Sequence, residues 1–195
     1  MKKEKKLEKI EEIAIKAGIE IARKGEGGLF VISDDCPYRR LLKQKIKPFS
    51  VFEKGALKIL MSIATIDGAV IITREGVVKD YGAMIKSKKV FRGYGTRHSA
   101  AYSASLCPDT TAILVSQEEK KVKIFRQGNL VMQIDALQKN VEKQISELPG
   151  VLESIGVGTL SSLGVSALIP GLGIAIIPGI IIFGVPYYLL RRLIK

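Results

Sequence analysis

A sharp change in composition after Pro149 and Gly150 constrains the fold of this chain more than any other feature. Over 154–190 the sequence has no charged residue, and glycine and proline interrupt a stretch rich in Leu, Ile and Val. The residues before it mix charged and apolar side chains, as a water-soluble domain does. Because domains usually run to about 100–150 residues, the sequence predicts one globular domain over 1–150 and a distinct hydrophobic segment over 151–195.

The hydrophobic segment is long enough for one or two passes through a bilayer, since a spanning helix needs about 20 mainly apolar residues. Pro170 and Gly171 near its middle would let the chain turn back. Arg191, Arg192 and Lys195 would then lie on the same side as the basic domain, in agreement with the positive-inside rule. We expect a helical segment that associates with a membrane as a hairpin or anchor. A buried helical hairpin of a soluble protein and an oligomer contact are the alternatives.

The charge balance indicates an anionic partner. Lys and Arg number 31 against 19 Asp and Glu, which gives a net charge of +12. Nucleotide, nucleic acid and anionic lipid would all match this charge. Basic residues cluster at 2–6, 39–47 and 86–92, so the charge is not concentrated in one tail. Because only 6% of the residues are aromatic and no pattern of aromatic and basic residues suits base stacking, we expect no nucleic-acid partner.

The cysteines indicate a reducing compartment. Cys36 and Cys107 are the two cysteines of the sequence, and neither has a second cysteine or a histidine at metal-ligand spacing. No secretory signal pattern opens the chain. We therefore expect buried or half-buried thiols and a cytoplasmic catalytic domain.

Hydrophobic periodicity predicts a mixed α/β fold. Apolar residues recur at three- and four-residue intervals over 5–23, 53–63 and 137–148, which predicts helices there. A further helix is predicted over 97–106, and it must stop near Cys107 because Pro108 disfavours helical geometry in the residue before it. Short runs of branched apolar residues predict strands over 29–33, 70–73, 77–81, 112–116, 122–126 and 130–134. Helices and strands alternate early and strands follow one another late, so the sequence predicts a mixed central β-sheet flanked by helices.

Gly95-Thr96-Arg97-His98 opens the third predicted helix and suits phosphate binding. Gly95 permits a tight turn, Thr96 is a competent N-cap, and the next backbone N–H groups have no helical partner. Such a helix start binds phosphate, and Arg97 adds a forked cation and His98 a second donor at the same place. The ordinary alternative is a solvated first turn.

Two further motifs stand at predicted strand ends, where they could converge with the helix start on one edge of a sheet. Asp67-Gly68-Ala69 precedes the strand over 70–73 and could be a simple turn. Ser116-Gln117-Glu118 ends the strand over 112–116 and could be a solvated hairpin. The order and spacing of the three motifs therefore carry more information than any one of them.

Taken together over 7–134, these motifs, the run over 28–32 and the turn at 128–130 resemble the diadenylate cyclase (DAC) domain family. The resemblance implies that one domain binds one ATP and that two domains face each other in a homodimer or higher homo-oligomer. The expected reaction joins two ATP into cyclic di-AMP and releases two pyrophosphates. The alternative is a sensor of the same fold that binds ATP or cyclic di-AMP without turnover.

The resemblance also implies roles for individual residues. Asp67 would lie beside the attacking ribose 3′-hydroxyl and the α-phosphate, while Arg97 and His98 would hold the phosphates; these three are the expected catalytic residues. Glu118 matches a position that contacts a divalent metal ion, Mn²⁺ or Mg²⁺. The stretch over 82–85 would pack on adenine. The expected ATP-binding residues are Gly68, Ala69, Gly82, Met84, Ile85, Gly95, Thr96, Ser99 and Ser116.

Two positions depart from the family pattern. Many members have a basic residue where this chain has Ser99, and many have an acidic residue where it has Gln117. The first departure bears on one phosphate contact and the second on metal ligation. Since Asp67, Arg97 and His98 are all present, we expect an active enzyme.

Overall fold

The computed structural model describes residues 2–86 and 95–137, together with 168–169, 174–177 and 180–183. The helices within these ranges are α1 (Lys2–Arg23), α2 (Ala56–Ala64) and α3 (Thr96–Ser105). The strands are β1 (Gly28–Ile32), β2 (Tyr38–Arg40), β3 (Phe49–Ser50), β4 (Ala69–Ile72), β5 (Val77–Ile85), β6 (Thr111–Ser116), β7 (Lys121–Arg126), β8 (Asn129–Asp135), β9 (Leu168–Ile169), β10 (Ile174–Ile177) and β11 (Ile180–Phe183).

The strands form one mixed sheet, which confirms the predicted fold class. Its order is β2-β5-β4-β1-β6-β7-β8-β11-β10-β9, and β3 pairs with β5. The pairing of β1 is parallel with β4 and antiparallel with β6, and β4 is antiparallel to β5. The starts of β1 and β4 therefore lie at the same edge as the ends of β5 and β6. The Asp67 and Ser116 motifs both lie at this edge.

Helices cover both faces of the sheet. Alternate residues of each strand point to opposite sides, and the buried strands present apolar residues on both. Phe30 and Ile32 point toward the core shared with α1 and α2, while Leu29 and Val31 point toward the core shared with α3. Burying each such large side chain contributes about 1.5–3 kcal/mol. The α3 side is thin, since α3 contributes small residues such as Ala101 and Ala104. This close packing places the start of α3 near the sheet edge.

Two short strands were not predicted, and one predicted strand is longer than expected. The outer strand β2 contains Arg39 and Arg40, both exposed, so it lacks an apolar signal. The strand β3 has only two residues. The predicted strand over 77–81 continues as β5 to Ile85. The helix predicted over 137–148 lies outside the described residues beyond Leu137.

Parts of the hydrophobic segment form strands where helices were predicted. Strands β10 and β11 form an antiparallel pair, and β11 joins the rest of the sheet by pairing in parallel with β8. Isoleucine dominates both β10 and β11, and β-branched side chains favour strands over helices. Of the residues that the structure describes, none belongs to a helix both long and apolar enough for a membrane span. Membrane association of 154–190 stays a prediction.

The cysteines are free thiols in contact with each other. Cys36 is buried and Cys107 is half-buried, as predicted. Their Sγ atoms are 2.9 Å apart. Since Cys36 follows β1 and Cys107 follows α3, the pair lies at the end of α3 away from its first turn.

Candidate active site

The Asp67 turn is held against the neighbouring strand by a close backbone contact. Gly68 has a φ of +100°, in the region that favours glycine. A Cβ atom on Gly68 would lie 2.6 Å from the carbonyl carbon of Gly82 and 2.8 Å from the nitrogen of Ala83. No other residue fits there without moving the backbone. The turn presents Asp67 to solvent, with a side chain that is 97% exposed.

The predicted adenine segment lies directly beside this turn. Ala83 in β5 pairs with Ala69 in β4, and the ladder is irregular just beyond that pair. Gly82 also has a positive φ, of +58°. Met84 is 46% exposed, and its Sδ accepts a hydrogen bond of 3.2 Å from Nη2 of Arg39 on β2. The structure therefore brings the stretch over 82–85 and the Asp67 turn together, and the contact of this stretch with adenine stays a prediction.

The start of α3 differs in one detail from the prediction. Gly95, with φ −65° and ψ 164°, is the N-cap, and Thr96 is already the first helical residue. No side chain caps this helix start, because the N-cap residue has none to offer. The amide of His98 donates to the carbonyl oxygen of Gly95 at 3.0 Å. The first amides of α3 are thus not engaged by a capping side chain, which suits an anionic ligand.

Arg97 connects the start of α3 with the Asp67 turn. Its Nη2 lies 3.6 Å from Oδ1 of Asp67. Its side chain also passes over Gly27, where a Cβ atom would lie only 2.8 Å from Nη1. The sequence motifs did not include Gly27. The close approach of Arg97 makes Gly27 part of the site.

His98 lies in a small charged cluster that sequence analysis also missed. Nε2 of His98 is 3.3 Å from Nζ of Lys123 and 3.9 Å from Oε1 of Glu119. Lys123 donates a short hydrogen bond to the Glu119 carboxylate. The sequence feature that could have indicated this cluster is a lysine between Val122 and Ile124 in a predicted strand. Because side chains alternate along a strand, Lys123 points to the face opposite these two residues, where α3 lies.

The surroundings of His98 and Glu119 change their proton affinities. Burial and then the Lys123 charge lower the pKa of His98, and this outweighs Glu119 and Glu118, which raise it. Burial raises the pKa of Glu119, yet the hydrogen bond and charge of Lys123 hold it below its usual value. At neutral pH, therefore, His98 is neutral and Glu119 is ionised.

The remaining predicted ATP-binding residues fall into two groups. Thr96 and Met84 are exposed at the site edge. Ser99 and Ser116 are buried in the fold, with 3% and 5% of their surfaces exposed. The Ser116 hydroxyl accepts a 3.3 Å hydrogen bond from the amide of Glu119, so it closes the turn between β6 and β7. Contacts of these residues with ATP stay predictions.

The residues at this edge fit a divalent cation that arrives with a nucleotide. Glu118 is exposed in the turn between β6 and β7, and its charge acts on His98. Over 2–86 and 95–137, no group of three or more His, Cys, Asp or Glu side chains forms a metal cage. Mg²⁺ is commonly held by one or two carboxylates together with substrate phosphates. Glu118 is an exposed carboxylate of this kind.

A glycine turn and a basic helix start meet at one edge of a mixed sheet, an arrangement that suits a nucleotide phosphate. The family model described as DAC, DisA bacterial checkpoint controller nucleotide-binding, matches residues 15–130. The chain belongs to this family. Its motifs at 67–69, 95–98 and 116–118 all fall inside the matched range.

Two curated relatives are named diadenylate cyclase. The protein from Methanocaldococcus jannaschii is 34% identical over 146 residues, which cover 68% of this chain and 47% of the relative. The protein from Haloferax volcanii is 28% identical over 138 residues, which cover 64% of this chain and 50% of the relative. The chain thus spans about half the length of each relative.

A solved structure supports the fold. The crystal structure of a double mutant of DacA from Staphylococcus aureus aligns with a TM-score of 0.50 and 19% identity. The alignment covers 81% of this chain and all (100%) of the solved chain. At this identity the similarity concerns the fold alone.

Proposed function

We propose that this chain is a diadenylate cyclase that converts two ATP into cyclic di-AMP and two pyrophosphates. One observation carries the proposal: the Arg97 guanidinium lies 3.6 Å from the Asp67 carboxylate, so the helix-start motif and the glycine-turn motif form one site. Membership of the DAC family and the two relatives named diadenylate cyclase support the same activity.

In the proposed reaction, the 3′-hydroxyl oxygen of each ATP attacks the α-phosphorus of the facing ATP. A new 3′-oxygen–phosphorus bond forms while the bond from that phosphorus to the pyrophosphate oxygen breaks, and the hydroxyl proton passes to solvent. Asp67 orients the attacking hydroxyl. Arg97, neutral His98 and the first amides of α3 hold the phosphates and stabilise the charge that grows on the leaving pyrophosphate.

Glu118 would hold the divalent cation, with the ATP phosphates as its other ligands. A bound Mn²⁺ or Mg²⁺ supplies charge neutralisation at the phosphates. Positioning of the two ATP molecules supplies much of the remaining rate enhancement, because it replaces a bimolecular encounter. Met84, Ile85 and Gly82 would pack on adenine, and Gly68 and Ala69 let the backbone approach the nucleotide.

Product analysis tests the activity. The purified chain is incubated with ATP and either Mn²⁺ or Mg²⁺, and the products are identified by mass. We expect cyclic di-AMP with at least one of the two metals. ATP consumption that yields only ADP or AMP would contradict the proposed reaction.

The proposal requires two chains, because one domain supplies one ATP. The rate per chain should therefore fall on dilution below the dimerisation constant. Sedimentation measured over the same concentrations gives the fraction of dimer, and the rate per chain should follow it. A constant rate per chain from a demonstrated monomer would contradict the face-to-face arrangement.

We also propose that the catalytic domain is cytoplasmic and that 154–190 associates with a membrane. The support is the charge-free sequence of that segment and the basic residues that follow it. Cells expressing the full chain or a version ending at Gly150 are fractionated without detergent. The full chain should sediment with membranes and the shortened chain should not. A soluble full chain would rule out membrane association.

A further inference from the structure

Lys123 is a buried cation beside the proposed phosphate site. Within the described part of the chain, the buried charged residues are Glu11, Asp80 and Lys123. Glu11 pairs with Arg126, and Asp80 pairs with Arg40. The Lys123 side chain is 6% exposed and pairs with Glu119. A buried charge is costly unless it is paired and hydrogen-bonded, so the placement of this lysine calls for a specific role.

Lys123 has apolar neighbours along its strand, β7. Val122 and Ile124 point toward the α1 core, and Phe125 packs on the α3 core. Lys123 therefore enters the thin layer between β7 and α3, directly beneath His98. An apolar residue would fill this layer without the desolvation cost of an ammonium group.

The contact between Lys123 and His98 determines which imidazole nitrogen carries the proton. A lysine ammonium has three donors and no acceptor. Its Nζ lies 3.3 Å from Nε2 of His98, so Nε2 must accept and cannot itself carry a proton. Glu119 is 3.9 Å from the same nitrogen, which is beyond hydrogen-bond distance. Neutral His98 in this geometry carries its proton on Nδ1.

We propose that Lys123 is a positioning residue of the phosphate site, which fixes the ring orientation and the Nδ1–H tautomer of His98 while Glu119 balances its charge. The proposal rests on the proposed function, since it assumes that His98 acts at the phosphates. Lys123 acts through His98, so its effect belongs to turnover more than to the affinity for ATP. The lowered pKa of His98 agrees with a neutral ring beside an ammonium group.

The tautomer can be measured without any activity. His98 is the single histidine of the sequence, so an untagged, ¹⁵N-labelled full chain gives one imidazole signal set. In the wild type we expect a protonated Nδ1 and an unprotonated Nε2. Lys123→Met should shift the population toward the Nε2–H form. Lys123→Arg, which keeps a donor-only cation, should retain the wild-type tautomer.

A matched control separates this role from general loss of charge. Lys121 lies on the same strand, also faces Glu119 at 3.7 Å, and is 33% exposed. Lys121→Met should leave both the tautomer and the rate unchanged. If Lys123→Met does not fold, Lys123→Gln is measured instead, and its amide, which can donate or accept, should give a mixture of tautomers.

Kinetics provide the second readout. Lys123→Met should lower kcat about 10- to 100-fold, the range expected when a reacting group loses its position, with KM for ATP changed by less than about threefold. Lys123→Arg should recover most of kcat. Equal losses in kcat and in ATP affinity for Lys123→Met would overturn the positioning role.

The possible outcomes distinguish failure of the Lys123 inference from failure of the proposed cyclase activity. An unchanged Nδ1–H tautomer in Lys123→Met or Lys123→Gln would overturn the inference whatever the activity. A changed tautomer with an unchanged kcat would overturn the role of Lys123 in turnover. Absence of cyclic di-AMP from the wild type would contradict the proposed function, whereas the tautomer measurement would still test the contact itself.

Discussion

The two sides of the candidate site are built on different physical principles. On one side, which we call the glycine corner, Gly68 lies against the backbone of Gly82 and Ala83 at distances that leave no room for a side chain. On the other side, the cationic corner, Arg97 of α3 reaches Asp67, and His98 of α3 lies beside Lys123 and Glu119 of the β6–β7 hairpin. The first corner is shaped by backbone sterics and the second by charge and hydrogen bonding.

Because the two corners are built differently, substitutions can change the stability of the fold and the activity of the site separately. A substitution in the glycine corner acts on the packing of β4 against β5 and therefore on the fold. A substitution of Arg97 removes a partly exposed side chain from α3 and leaves the core residues Ala101 and Ala104 in place. We therefore expect substitutions in the glycine corner to lower mainly stability and substitution of Arg97 in the cationic corner to lower mainly activity.

The largest effect on activity should come from the cationic corner. Arg97→Ala or His98→Ala should lower product formation about 100- to 1000-fold, as removal of a transition-state donor does. Arg97→Ala should leave the melting temperature close to that of the wild type, because the side chain is partly exposed. His98→Ala should lower it modestly while the chain still folds, because it removes a partner of buried Lys123. Product is measured by mass and stability by thermal unfolding.

Arg74→Ala is the matched control for that experiment. Arg74 is a partly exposed arginine paired with the exposed Asp109 at 3.2 Å. Its loss should change neither rate nor stability appreciably, since exposed ion pairs contribute about 0–1 kcal/mol. Near-normal turnover by Arg97→Ala or His98→Ala would remove the cationic corner from the mechanism.

The next effect, on stability, concerns the glycine corner. Gly68→Ala should destabilise the fold, because it places a Cβ atom 2.6 Å from backbone at a φ of +100°. Gly55→Ala is a close control, since Gly55 has a φ of +89° and nothing within 4 Å of an added Cβ. Conformational strain alone costs about 1–3 kcal/mol, so urea unfolding should show that loss for Gly55→Ala and a larger one for Gly68→Ala. Equal losses would mean that the close contact with β5 is unimportant.

The smallest effect is expected at Asp67, which precedes Gly68 of the glycine corner and contacts Arg97 of the cationic corner. Asp67→Asn keeps the size of a side chain that is 97% exposed, so stability should not change. Turnover should fall about 10-fold or more, because the carboxylate that orients the attacking hydroxyl is lost. ATP affinity, measured by calorimetry, should fall much less. A parallel fall in affinity and turnover would place Asp67 on the binding side instead.

The sequence predicted the core of the fold well because burial leaves a clear pattern. Runs of β-branched residues mark β1, β4 and β6, which are buried along their whole length. The strand β2 gave no such signal, since its arginines are exposed at the sheet edge. In the hydrophobic segment, length and lack of charge suggested helices, yet isoleucine-rich β10 and β11 follow the preference of β-branched residues.

The site was predicted in part for a similar reason. Asp67, Arg97 and His98 stand in short motifs whose residues adjoin in sequence. Lys123 reaches His98 from another element, so their contact depends on the packing of α3 over β7. The N-cap was assigned to Thr96 because its hydroxyl is a good acceptor, whereas the backbone is already helical there.

The central claim is tested most directly by counting the products of one reaction. The full chain is incubated with ATP and Mn²⁺ or Mg²⁺, and cyclic di-AMP and pyrophosphate are quantified together, with Arg97→Ala as the parallel sample. The account predicts two pyrophosphates for each cyclic di-AMP in the wild type and a strongly reduced yield of both in the variant. ATP that binds to the wild type but remains intact would contradict the account and would identify a nucleotide sensor with the same fold.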